Sequence, residues 1–182
     1  MHTEEELIKG CQKNDRKLQK ELYERYAESM YVLCLRYTKS TQEAEDVLQE
    51  SFIKVFDKIN DFKRESTLGY WIKRIVINTA LNSQRSKLYL FPMVDVADSN
   101  LTEKEVNLSN IHFQELIGMV QDLPAGCQAV FNLYAIEGYK HHEIADMLEI
   151  SEGTSKSQYA RARHLLKEML EETDRVRYEK QS

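Results

Sequence analysis

EGYKHHEIADMLEISEGTSKSQYARARHLLK, residues 137–167, carries two short helical patterns joined by a turn, and its reading decides what kind of chain this is. The first pattern places Ile144, Ala145 and Leu148 on one side, and Ile150 plugs the turn. Ser151 stands where an N-cap belongs, because its hydroxyl can accept from a free backbone N–H of the following turn. The second pattern keeps Tyr159, Ala162, Leu166 and Met169 on one stripe, the spacing of a buried helical face. Its other side is Lys156, Ser157, Gln158, Arg161, Arg163 and Lys167. Between Thr154 and Lys167 stand four cations and no carboxylate, in a chain of formal charge −5. A helix surface kept clear of negative charge is what contact with phosphates requires. Taken alone, this helix-turn-helix pattern also suits a solvated amphipathic helix packed on its neighbour.

Outward from this stretch, 182 residues with 42% hydrophobic content allow one domain or two small ones. Only two prolines and six glycines, with periodicity near 3.6 throughout, predict an all-α protein without a sheet. The net charge of −5 argues against a protein that coats nucleic acid through many exposed cations, so DNA contact must be local and aimed. MHTEEELIKG at the start has neither a basic nor an apolar run, and no stretch approaches the roughly 18 to 20 apolar residues of a membrane span. A cytoplasmic protein is expected. Cys11, Cys34 and Cys127 fall at apolar positions of helix patterns and read as buried reduced thiols rather than disulfide or zinc ligands.

In chain order, Thr3 followed by Glu4, Glu5 and Glu6 predicts a capping-box start. Asn14 and Asp15 open a long helix carrying Leu22, Met30, Leu33, Cys34 and Tyr37. After a break at Lys39-Ser40-Thr41, TQEAEDVLQESFIKVFDKI turns Ala44, Val47, Leu48, Ser51, Phe52, Val55 and Phe56 inward, while Glu43, Glu45, Asp46, Gln49 and Glu50 make its outer first half acidic.

FKRESTLGYWIKRIVINTALNSQRSK, residues 62–87, changes character: from Lys63 to Lys87 there are six cations and one acid, with Tyr70 and the only tryptophan, Trp71, among them. Ser66 or Thr67 caps a helix that faces Trp71, Ile75, Val76, Ala80 and Leu81 to a core and leaves Lys73, Arg74, Asn78 and Arg85 outward. Cations that follow a backbone, aromatic faces that hold bases and an amide that reads a base edge are the parts of single-strand recognition. Trp71 itself is expected in the core. Residues 89–109 lose periodicity and turn acidic, a flexible linker between two small helical domains, 1–88 and 110–182. The second opens with Ile111, Phe113, Leu116, Ile117 and Val120, is punctuated at Pro124, continues through Cys127, Val130 and Phe131, and stops at Gly138 before the helix-turn-helix.

These residues together resemble the sigma-70 family of RNA polymerase sigma factors, in its extracytoplasmic-function (ECF) group. AEDVLQESFIKVF at 44–56 is similar to the family's region 2.2, STLGYWIKRIVINTALN at 66–82 to regions 2.3 and 2.4, and the stretch from Leu123 to Leu170 to region 4. The resemblance implies a promoter-specificity subunit, with no catalytic residue, cofactor or metal of its own. Asp46, Gln49 and Glu50 would bind the clamp helices of core RNA polymerase, whose basic surface complements them. Lys63, Arg64, Ser66, Thr67, Lys73, Arg74, Asn78 and Arg85 would hold the −10 element as a single strand. Unstacking a base step costs a few kcal/mol and a captured base returns about 1–3 kcal/mol, so capture must accompany melting. The linker would thread the polymerase's RNA exit path. Thr154, Lys156, Ser157, Gln158 and Arg161 would read the duplex −35 element in the major groove. An anti-sigma factor, often membrane-anchored in this family, is the implied regulator.

Four positions depart from the family's pattern: Lys140 replaces an N-capping Ser or Thr, Glu149 a turn Gly, Ser155 an apolar buttress and Gln158 a frequent Arg. Gln for Arg suggests a shifted −35 preference, since Gln suits adenine and Arg guanine. Two other classes compete. A stand-alone helix-turn-helix regulator leaves the acidic helix and the basic-aromatic segment without a role. A nuclease built on Asp46 and Glu50 lacks a His or third acid to complete its site, and His141 and His142, adjacent on a helix, diverge too far to share a metal.

Overall fold

A computed structural model of the protein describes residues 2–88 and 113–181, and within them eight α-helices and no strand. The expected linker lies outside the described residues. The chain separates into two compact units, Met1–Gln84 and Arg85–Ser182.

In the first unit, α1 (Glu4–Gln12) begins with the predicted capping box, the Glu6 backbone N–H donating to Thr3 Oγ1 and the Thr3 N–H to the Glu6 carboxylate. Gly10 lets α1 lie directly on α2 (Arg16–Tyr37): a Cβ there would stand 2.0 Å from Leu18 Cδ1 and 2.8 Å from Leu18 Cβ. Asp15 caps α2 by accepting from the N–H groups of Lys17 and Leu18. Ser40 caps α3 (Thr41–Lys58) by accepting from Glu43. α2 packs along α3, whose Ala44, Val47, Leu48, Ser51, Phe52 and Val55 are buried as expected, with the Ser51 hydroxyl satisfied by the Val47 carbonyl at 2.6 Å. A 3₁₀ turn, Ile59–Asp61, leads through a loop into α4 (Leu68–Leu88). Thr67, rather than Ser66, caps α4, its Oγ1 accepting from the Tyr70 N–H. The buried stripe of α4 is Leu68, Ile72, Val76, Ile77, Ala80 and Leu81, displaced by one residue from the expected stripe over its first half.

In the second unit, α8 (Glu152–Gln181) is the spine against which α5 (Phe113–Asp122), α6 (Ala125–Phe131) and α7 (His141–Leu148) pack. Leu123, Cys127 and Ala162 form its centre, with Phe131, Leu165 and Leu166 against them. Pro124 stands immediately before α6, where its missing N–H costs nothing. α6 continues into a π-helical turn, Asn132–Ile136, which the sequence periodicity does not announce, and Gly138 at φ 80° ends it. All three cysteines are buried and reduced. Burial pushes the Cys11 thiol up to about 11 and the Cys34 thiol up to about 12, so neither is a nucleophile at neutral pH.

Candidate nucleic-acid interface

The loop between the 3₁₀ turn and α4, with the first three turns of α4, encloses a cleft of about 530 Å³ in the first unit. Its basic walls are Lys58, Lys63, Arg64 and Arg74, and Asp61 and Glu65 are its two acids. Phe62, Tyr70 and Trp71 supply aromatic surface, and Asn78 and Ser66 supply hydrogen-bonding groups. The expectation that Trp71 belongs to the core is corrected here. It is half-buried, its ring 5.2 Å from that of Phe62 and tilted by 46°, and its free side lines the cleft. The physical reason is register. Once Leu68, Ile72 and Val76 take the inward stripe, Trp71, Ile75 and Asn78 occupy the adjacent one.

Of the residues expected on the −10 strand, Lys63, Arg64, Ser66, Arg74 and Asn78 are brought together around this cleft. Thr67 is exposed and spends its hydroxyl on the helix cap. Lys73 is half-buried outside the cleft lining, and Arg85 is exposed farther along α4. Sequence reasoning omitted Lys58 and Phe62 from the site; Tyr70, read there among the aromatics of the basic segment, is 49% exposed. Lys58 ends α3 and Phe62 follows the 3₁₀ turn, so only the course of the loop brings them to the cleft, and no helix pattern announces it. Arg64 sits in the left-handed region at φ 63°, which costs a non-glycine residue roughly 1–2 kcal/mol. Such a conformation persists only where its surroundings hold it. Here the Arg64 guanidinium donates to Glu5 Oε1 at 2.8 Å, and the Leu68 N–H donates to Glu4 Oε1 at 3.3 Å, so the first turn of α1 grips the loop.

On the outer side of α3, Asp46, Gln49 and Glu50 are all exposed on one stripe. Ile53 continues that stripe one turn on and is 62% exposed, the most solvent-exposed of the large hydrophobic side chains described. Glu50 pairs with Lys54 at 2.7 Å, and Lys54 also donates to Thr79 on α4. The stripe thus combines exposed acids with an unburied isoleucine, and the sequence pattern alone did not single out Ile53.

The helix-turn-helix of the second unit is α7, the turn and α8. The Thr154 N–H donates to Ser151 Oγ at 2.9 Å, the expected cap. Glu149 holds the left-handed turn position at φ 57° despite carrying a side chain. Lys140 supplies no side-chain cap, but its backbone N–H donates to the Glu143 carboxylate at 2.7 Å. Ser155, where an apolar buttress was expected, is fully buried, and its hydroxyl is within 2.9 Å of His141 Nδ1. That ring stacks on Tyr134 at 4.2 Å, so His141 braces the two helices; His142 points to solvent. Among the described residues, no cluster of His, Cys, Asp or Glu could hold a metal. Burial, aided by Lys156 and opposed by Glu152, holds the His141 pKa below its ordinary value.

Lys156 is exposed and pairs with Glu152 at 2.8 Å, Arg161 is half-buried, and Ser157 donates to the Thr154 carbonyl. The Thr154 hydroxyl is engaged with Ser151. Gln158 does not face outward with them. It is half-buried, its Oε1 accepts from the Cys127 thiol at 2.9 Å, and its amide lies against Gly126. Arg163, over the Tyr159 ring at 5.9 Å, and Lys156 carry the exposed positive charge instead.

Residues 22–88 match the family model of sigma-70 region 2, and residues 113–166 that of sigma-70 region 4. The RNA polymerase sigma-H factor of Pseudomonas aeruginosa is 28% identical, covering 92% of this chain and 94% of the relative. The ECF RNA polymerase sigma-E factor of Escherichia coli K12 is 29% identical over 90% of this chain and 92% of its own length. In fold, the chain is similar to the sigma factor RpoE of Bartonella quintana, solved in complex with the anti-sigma factor NepR, with a TM-score of 0.55, 21% identity, and coverage of 84% and 96%.

Proposed function

The chain belongs to the sigma-70 family as an RNA polymerase sigma factor of the ECF group, and we propose that its first unit both docks on core polymerase and captures the melted −10 strand. The observation that carries the proposal is the cleft at residues 58–78, in which four cations, three aromatic rings and Asn78 converge in an otherwise acidic protein. Its dimensions and chemistry suit flipped-out bases rather than duplex. Tyr70 and Trp71 offer ring faces, with Phe62 buried behind Trp71, Asn78 and Ser66 discriminate base edges, and Lys63, Arg64 and Arg74 follow the phosphates. Each captured base offsets part of the unstacking cost, so the protein melts the promoter by trapping what opens.

Asp46, Gln49, Glu50 and Ile53 are the polymerase-binding stripe, with Ile53 as its apolar end. The second unit reads the duplex −35 element with the start of α8, the exposed Lys156 and Arg163 and the half-buried Arg161, whose few charges suffice if polymerase supplies most of the affinity. The protein acts in the cytoplasm with polymerase, and an anti-sigma factor that covers these faces is its regulator; the complex formed by the Bartonella quintana relative supports that partner class. No described helix is long and apolar enough to cross a membrane.

Arg74→Gln tests the cleft directly. Holoenzyme carrying it should bind a −10 single strand more weakly, with a salt slope lower by about 1, while affinity for core polymerase is unchanged. Unaltered strand binding removes the cleft from the mechanism.

A further inference from the structure

Glu5 is an acid placed against a surface meant for a polyanion. Its Oε1 lies 2.8 Å from the Arg64 guanidinium, a contact between residues 59 apart in sequence, so it is not a by-product of helical spacing. Both side chains remain about half exposed, at 52% for Arg64 and 45% for Glu5, and a DNA phosphate can reach the same guanidinium from the cleft side. The same Glu5 oxygen also pairs with Lys9 at 3.2 Å. If Arg64 turns to another anion, Glu5 keeps a cation and is not left uncompensated.

We propose that Glu5 is an internal competitor for the DNA backbone at Arg64, setting how readily the −10 cleft accepts a single strand. This inference rests on the cleft reading given above. α1 is suited to the role because it is anchored independently of the loop. Leu7, Ile8 and Cys11 are buried, Thr3 and Glu6 close its capping box, and Glu4 holds the Leu68 N–H at the start of α4. The loop therefore stays in place while the Arg64 side chain exchanges partners. An exposed ion pair is weak, so the exchange is easily reversed and tunes rather than blocks binding. The consequence is selectivity. A strand that fills the base-binding surface displaces Glu5, and one that offers only phosphates must compete with it.

The test is a double-mutant cycle on holoenzyme with a fluorescent −10 non-template oligonucleotide and a scrambled strand. Glu5→Gln keeps the side-chain shape and removes the charge. It should tighten binding by about two- to fivefold at low salt, the range of an exposed ion pair, and more for the scrambled strand than for the promoter strand. Arg64→Gln should weaken binding, and on that background Glu5→Gln should have no further effect. Unchanged or weaker binding by Glu5→Gln, or the same gain with Arg64 absent, overturns the proposal. Binding indifferent to Arg64→Gln overturns it too, and the cleft reading falls with it only if Arg74→Gln is equally silent.

Discussion

Replacing Trp71 by alanine separates the two duties its position gives it. The ring is half-buried against Phe62, so its removal costs roughly half of the 3–5 kcal/mol of a fully buried aromatic, about 2 kcal/mol of stability for the first unit. The lost base stack costs a further 1–3 kcal/mol of strand affinity, about a 5- to 150-fold weaker capture of the −10 strand by holoenzyme. Trp71→Phe keeps a ring face and should lose much less of both. Because Trp71 is the only tryptophan, the wild-type protein on its own carries a reporter in the cleft: a promoter strand bound there should change its emission, and a duplex of the same sequence should not. Urea unfolding measures the first cost and anisotropy the second. A Trp71→Ala protein that is destabilised yet captures the strand at wild-type affinity would refute the stacking role and return Trp71 to the core.

Ile53→Ala should leave stability within about 0.5 kcal/mol, because the side chain is exposed, yet weaken association with core polymerase by about 1–2 kcal/mol in a competition assay. The Asp46→Ala, Glu50→Ala pair should weaken the same association and make it less salt-dependent, with strand capture by pre-assembled holoenzyme unaffected. Gly10→Ala drives a Cβ into the Leu18 side chain and should destabilise the first unit by about 1–3 kcal/mol in urea, since Leu18 Cβ itself must move. The depressed His141 pKa means that the unfolded chain takes up the proton first. The stability it contributes is full above about 6.5 and is lost as pH falls through that value toward the lower folded one, so melting of the second unit should drop on acidification and His141→Gln should flatten the profile.

Why some of this was legible in the sequence and some was not follows from what each residue answers to. Thr3, Asp15 and Ser151 cap their helices as read, because capping depends on neighbours a few residues away. The acidic face of α3 was visible for the same reason: an exposed stripe needs only its own helix. Trp71 was misplaced because two stripes open α4, one through Leu68, Ile72 and Val76 and one through Trp71 and Ile75, both apolar enough to face a core, and only packing against the rest of the unit selects one. The contact Gln158 makes inward was equally hidden. Its polarity suggested an outward reader, but Gly126 opposite it leaves room for an amide and Cys127 offers a thiol hydrogen. Ser155 and His141 satisfy each other across the helix-turn-helix in a pairing that neither helix's own pattern contains. The Glu5–Arg64 contact spans 59 residues and could not be read from either end.

The central claim is that this chain chooses where polymerase starts. Core polymerase supplied with the protein and a fragmented genomic template should yield transcripts whose 5′ ends cluster downstream of a shared pair of elements spaced as −35 and −10, and core polymerase alone should not. Transcript ends scattered identically with and without the protein would contradict the account.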